Sequence, residues 1–88
     1  MFFVYILKSL KDQRTYTGYA GNVVGRLREH NQGKVDATKN RRPFIVLYTE
    51  CYTTEQEAKK REHYWKSGSG RRKLKKYFNE GFPPRPPM

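Results

Sequence analysis

Residues 2 to 8, FFVYILK, constrain this chain more than any other stretch. The run is aromatic and β-branched, bounded by polar residues, and far too short for a core helix. It therefore reads as a buried strand. It also lacks a charged leading region, and its five or six apolar residues before Lys8 are too few for a signal segment or a membrane span. A chain of 88 residues is expected to form one domain with a modest core. Its aromatic content of 15% lets a few large side chains fill that core.

The rest of the pattern follows from this first strand. SLKDQR is a polar turn, and RTYTG (residues 14–18) returns as a second strand, giving an antiparallel hairpin broken at Gly18. Asn22 is a strong helix cap for VVGRLREHNQG, with Val23, Val24 and Leu27 as the buried stripe and Gly33 as the stop. KVDATKNRRP is a polar, basic loop closed by Pro43. FIVLYTECY is a third strand whose unbroken apolar run suggests a central position covered on both faces. Thr54 and Glu57 form a capping box opening TTEQEAKKREHYWKS. A third helix fits SGRRKLKKYFNE, starting near Ser69 or Gly70, with Leu74, Tyr77 and Phe78 at helical spacing. The order β-β-α-β-α-α predicts an α+β fold, a three-stranded, mostly antiparallel sheet flanked by helices. Residues 1–80 form the domain, and residues 81–88 read as a Pro-rich, unstructured tail.

Charge narrows the partner. With 19 Lys and Arg against 8 Asp and Glu, the net charge is +11, which favours a polyanion, nucleic acid first. A membrane surface is excluded because no segment offers an amphipathic helix with a bulky apolar face. The single cysteine, Cys51, permits neither an internal disulfide nor a cysteine zinc cluster, and predicts a reducing, cytoplasmic setting.

Five residues stand out chemically. Ala58, Glu62 and Trp65 fall at i, i+4 and i+7, so the Glu62 carboxylate lies on or beside a buried stripe. A buried carboxylate is costly unless paired or metal-bound. The plain alternative is an ion pair with Arg61, Arg26 or another cation. Tyr5 and Tyr16 are ordinary strand residues singly, but on one hairpin they present two phenols to one place. Arg26 offers a planar fork matching a phosphate, and His30 lies four residues on, on the same side of the helix. Surface solvation and a favourable helix-end charge account for each of these two taken singly. Together the five form a kit for phosphodiester hydrolysis with one divalent cation.

In that order the residues resemble the GIY-YIG nuclease domain. FVY (residues 3–5) stands where the GIY triplet belongs, and YTG (16–18) where YIG belongs. Arg26 follows Gly18 at the spacing of that family's phosphate-binding arginine, and His30 fits its R-x-x-x-H variant. AKKREHYWK resembles the helix carrying the metal-binding glutamate, which maps to Glu62. The likeness spans the chain apart from its tail and is greatest to small, stand-alone, excinuclease-like members. Phe3 replaces the first glycine, Tyr19 stands where repair nucleases carry lysine, and no asparagine follows Glu62 before Asn79.

The resemblance implies an endonuclease hydrolysing phosphodiester bonds in DNA, in repair or recombination. Glu62 would hold one Mg²⁺ or Mn²⁺, Tyr5 or Tyr16 would activate water, Arg26 would stabilise phosphate charge, and His30 would position a tyrosine or relay its proton. Gly18 is expected to turn the chain so that Tyr16 and the Arg26 helix face one cleft. Tyr19, Lys34, Lys39, Arg41, Arg42, Arg71, Arg72 and Lys73, with Lys75 and Lys76 beyond, are expected to grip the nucleic acid through its backbone. So small a domain leaves specificity to a protein partner. Two rivals stand beside this reading: a non-catalytic nucleic-acid-binding module on the same fold, and an adaptor docking through PPRPP.

Overall fold

The computed structural model describes residues 1–83. Its elements are β1 (Phe2–Ser9), β2 (Thr15–Ala20), α1 (Val23–Asn31), a short 3₁₀ turn (Lys39–Arg41), β3 (Phe44–Tyr52), α2 (Glu55–Lys66) and α3 (Gly68–Glu80). The chain is thus an α+β fold in the order β-β-α-β-α-α, with all strand pairs antiparallel.

The sheet order is β2-β1-β3, so the central strand is β1 and not β3. The apolar run of β3 has a different cause. Its register against β1 shifts between Ile6 and Leu7, where Ile6 pairs with Tyr48 and Leu7 with Val46. This bulge leaves Leu47 unpaired and reverses the in–out alternation. Phe44 and Val46 therefore join the core under α1, while Tyr48 joins the core under α2 and α3. A strand serving both faces reads as continuously apolar even at an edge.

Two cores result. On one face Val4, Ile6, Tyr48, Ala58, Trp65 and Leu74 pack together under α2 and α3. On the other, Tyr5, Leu7 and Phe44 pack with Tyr16, Val23 and Leu27 under α1. Val24, expected in the α1 stripe, is 68% exposed, because Val23 and Leu27 alone point at the sheet. Phe78 also faces out, at 41%, while Leu74 and Tyr77 face the core.

The helix ends follow local chemistry. Asn22 accepts the Gly25 amide at 3.0 Å, and Gly33 leaves α1 at φ +78°, a conformation that favours glycine. Thr54 accepts the Glu57 amide at 3.2 Å, and its hydroxyl donates to the Glu57 carboxylate at 3.1 Å. Helix α3 starts earlier than expected, at Gly68, because Ser67 caps it by accepting the Gly70 amide at 3.3 Å. Gly70 permits this sharp α2–α3 junction: a Cβ there would collide with the Tyr64 carbonyl and lie 2.7 Å from the Trp65 Cα. Phe82, assigned by sequence to the tail, instead stacks on Tyr48 with ring centroids 5.3 Å apart. The proline segment PPRPP lies beyond the described residues except for Pro83. Among the described residues no helix is long and apolar enough to cross a membrane.

Candidate active site

The site begins with a missing side chain. Tyr5 on β1 pairs with Gly18 on β2, and a Cβ at position 18 would lie 2.5 Å from the Tyr5 hydroxyl and 2.7 Å from its Cζ. Gly18 therefore does not break the strand or turn the chain, as the sequence suggested. It sits within β2 and leaves the space into which the Tyr5 ring leans. Tyr16, two residues earlier and opposite Leu7, projects from the same face.

His30, in the last turn of α1, closes over both tyrosines. It is fully buried, not a surface residue of the helix. Its Nε2 lies 3.1 Å from the Tyr5 hydroxyl and its Nδ1 2.7 Å from Thr38 Oγ1. The rings of Tyr5, Tyr16 and Phe44 surround it at 5.9, 5.1 and 5.9 Å. Burial, and then the Arg26 charge, hold the imidazole below its ordinary pKa against the weaker pull of Glu29, so it is neutral at pH 7.

Arg26, one turn earlier, shares the side of the helix that faces Tyr5, as its spacing predicted. The nearby Tyr5 phenol is the main cause of its raised pKa, and its guanidinium reaches Glu29 at 3.7 Å. Burial raises the Tyr5 pKa, Arg26 pulls it down, and Tyr16 and Glu62 add to the rise. Arg26 also lines an open groove of about 490 Å³ with Asn22, Gly25, Arg28 and Lys34.

Glu62 comes from α2, which packs on the opposite face of the sheet and against β2. Its side chain is 15% exposed and pairs with Lys66 at 3.6 Å, while the Lys66 ammonium sits 6.0 Å over the Tyr16 ring. Its negative charge is felt at both Tyr5 and Tyr19. Arg61, considered from sequence as its counter-ion, is held instead by Glu50 at 3.0 and 3.1 Å. Tyr19 lies on the α2 side and donates to Glu55 at 3.3 Å.

The predicted backbone-gripping cations fall into two groups. Lys34, Lys39 and Arg42 are exposed around the end of α1 and the following loop. Arg41 in that loop is pinned: its Nε and Nη2 contact Asp12 at 2.6 and 3.3 Å. Arg71, Arg72 and Lys73 are exposed on α3, on the other side of the sheet.

Three partners escaped the sequence reading. Thr38 is a loop residue that only the fold brings to His30. Lys66 is one more cation on a cation-rich helix. Glu50 did carry a signal, an acid inside the apolar β3 run. It accepts from Arg61 and, at 2.8 Å, from the Trp65 indole.

A model of the GIY-YIG catalytic domain matches residues 1–77. The chain belongs to the GIY-YIG family. GIY-YIG domains make up an endonuclease family whose substrate is nucleic acid, so the expectation drawn from FVY, YTG and Arg26 holds at family level. Relatives of this GIY-YIG chain include a UPF0213 protein of Staphylococcus haemolyticus, 45% identical over 74 residues, which are 83% of this chain and 89% of that one. A UPF0213 protein of Staphylococcus epidermidis is 49% identical with the same coverage, 83% and 89%. The solution NMR structure of a UPF0213 protein from Bacillus halodurans superposes with a TM-score of 0.54 at 35% identity, covering 94% of this chain and 89% of that one.

Whether these residues suit the family's divalent cation follows from the donor set. Among the described residues no three His, Cys, Asp or Glu side chains converge. Glu62 is a largely buried carboxylate whose ion pair to Lys66 is loose at 3.6 Å. That fits a hard cation held by one carboxylate, with water and substrate oxygens completing its shell, and does not suit zinc.

Proposed function

We propose that this GIY-YIG domain is an endonuclease hydrolysing DNA phosphodiester bonds with one Mg²⁺ or Mn²⁺, in DNA repair or recombination. What supports the proposal is the cluster of Tyr5, Tyr16 and His30 below Arg26, with Glu62 linked to it through Lys66, which pairs with Glu62 and lies over the Tyr16 ring. Glu62 is the residue that would hold the ion. When bound, the ion would neutralise phosphate charge and stabilise the leaving oxygen. Arg26 binds a non-bridging phosphate oxygen, where a guanidinium fork matches the geometry. Tyr16, part-exposed beside the cleft, is the phenol that a water can reach, so it orients that water for in-line attack. Tyr5, buried and tied to His30, holds Arg26 in place. The exposed cations Lys34, Lys39 and Arg42, with Arg71, Arg72 and Lys73 beyond, grip the strand through backbone phosphates, which carry little sequence information. A protein partner supplies specificity.

The test is cleavage of branched, single-stranded and duplex DNA in the presence of Mg²⁺ or Mn²⁺. Arg26→Ala and Glu62→Ala are each expected to lower kcat/KM by about 10²-fold or more, in line with loss of one preorganised charge at a transition state. Equal cleavage by wild type and both variants would sink the assignment. Salt-sensitive binding with no cutting by wild type would support the rival, a binding module.

A further inference from the structure

Lys66 touches two members of the site at once. Its ammonium meets Glu62 Oε1 at 3.6 Å and lies 6.0 Å over the Tyr16 ring. Glutamate four residues before lysine is a common surface pair on helices, and such pairs contribute little. Two observations set this one apart. The Glu62 side chain is only 15% exposed, and a carboxylate so far withdrawn from water needs a cation beside it. Lys66, moreover, ends over a tyrosine that packs in the core under α1, although α2 packs on the other face of the sheet. Arg61 and Arg26 are engaged elsewhere, by Glu50 at 3.0 and 3.1 Å and by Glu29 at 3.7 Å. The Lys66 side chain is itself 49% exposed, so its flexible stem can carry the ammonium into solvent without disturbing the fold.

We infer that Lys66 and the divalent cation compete for Glu62, which makes Lys66 the positioning residue that sets how readily the site takes its metal. The inference rests on the reading of Glu62 as the metal-holding residue. An ammonium is a compact point charge that satisfies a carboxylate much as a hard metal ion does. Two cations about 4 Å apart repel, and most strongly where water is scarce. An ion on Glu62 therefore requires Lys66 to withdraw, and Lys66 on Glu62 weakens the hold on an ion. A separation of 3.6 Å is longer than a charge-assisted hydrogen bond, so the exchange breaks no tight contact. The same withdrawal takes the ammonium off the Tyr16 face, so that the carboxylate and the phenol are uncovered together.

The experiment is a Mg²⁺ titration of the full chain without DNA, followed by NMR of the Glu62 side-chain carboxyl carbon and the Lys66 ammonium nitrogen. In wild type both signals are expected to move with one midpoint, the lysine signal toward that of a solvated, freely rotating ammonium. Lys66→Gln, which removes the charge but keeps a polar side chain, is expected to lower the midpoint about fivefold, the upper range for one part-exposed ion pair. Lys66→Arg, which keeps the charge, stays near wild type. Lys60→Gln removes a charge from an exposed position of the same helix and is expected to change the midpoint by less than about twofold. A Glu62 signal that titrates while the Lys66 nitrogen stays unchanged overturns the inference and leaves Glu62 as the metal-holding residue. So does an unaltered midpoint in Lys66→Gln, or an equal gain in Lys60→Gln. No response of Glu62 in wild type and Lys66→Gln alike defeats the metal reading itself, and the inference with it.

Discussion

His30 is an imidazole sealed among three aromatic rings, and its burial ties stability to pH. Its folded pKa lies below the ordinary value of 6.5. Below pH 6.5 the unfolded chain takes up a proton that the folded chain refuses, so stability falls as pH drops from 6.5 toward the folded pKa. The limiting slope is about 1.4 kcal/mol per pH unit for one proton. Chemical denaturation between pH 5.5 and 8 is expected to show this loss in wild type and a flatter profile in His30→Gln. Parallel profiles would mean that the ring is solvated. The i, i+4 spacing of Arg26 and His30 was legible in the sequence because helical periodicity is local. That His30 is buried was not, since its cover comes from β1, β2 and β3. Gly18 shows the same limit. Sequence marks a glycine in a strand as a break, whereas the Tyr5 ring that needs the space lies on the neighbouring strand.

At the scale of elements, the orientation of α2 decides where Glu62 points, and Glu50 on β3 sets that orientation. Its carboxylate holds Arg61 through two nitrogens and the Trp65 indole through a third bond, while the Arg61 guanidinium lies 4.5 Å over the Tyr64 ring. Glu50→Ala leaves the half-buried guanidinium and the buried indole N–H unpaired, which costs about 1–3 kcal/mol. The denaturant midpoint is expected to fall by that amount at unchanged m-value, and cleavage to fall further than stability alone explains, because Glu62 follows Arg61 in the chain. An unchanged midpoint would mean that α2 is held by its apolar face alone. Helix caps at Asn22 and Thr54 were readable because the cap and its amide are three residues apart. The place of β3 was not, because a bulge that trades one face for the other leaves the same apolar run as burial on both sides.

For the whole molecule, an excess of 11 positive charges makes association with DNA strongly salt-dependent, with log K falling linearly in log salt. The two arginines of the 3₁₀ loop separate surface charge from structural charge. Arg42 is exposed, with one bond to the Lys39 carbonyl at 2.7 Å, whereas Arg41 is committed to Asp12, whose carboxyl it holds far below the usual range. Arg42→Gln is expected to lower the salt slope by about one phosphate contact. Arg41→Gln is expected to leave the slope unchanged and loosen the β1–β2 turn. Fluorescence binding titrations at several salt concentrations distinguish the two, and a slope lowered equally by both variants would show that Asp12 does not withhold Arg41.

The two-sided construction of the molecule also bears on its biosynthesis. Tyr5, Tyr16, Arg26 and His30 all precede β3 in the chain, on the side of the sheet under α1, while Glu62 comes later, on α2 on the other side. On the proposed function, a nascent or half-folded chain holds DNA-binding charge without its metal-binding carboxylate. Cutting power arrives only when the second core closes, so an enzyme of this design stays harmless to the genome until its folding is complete.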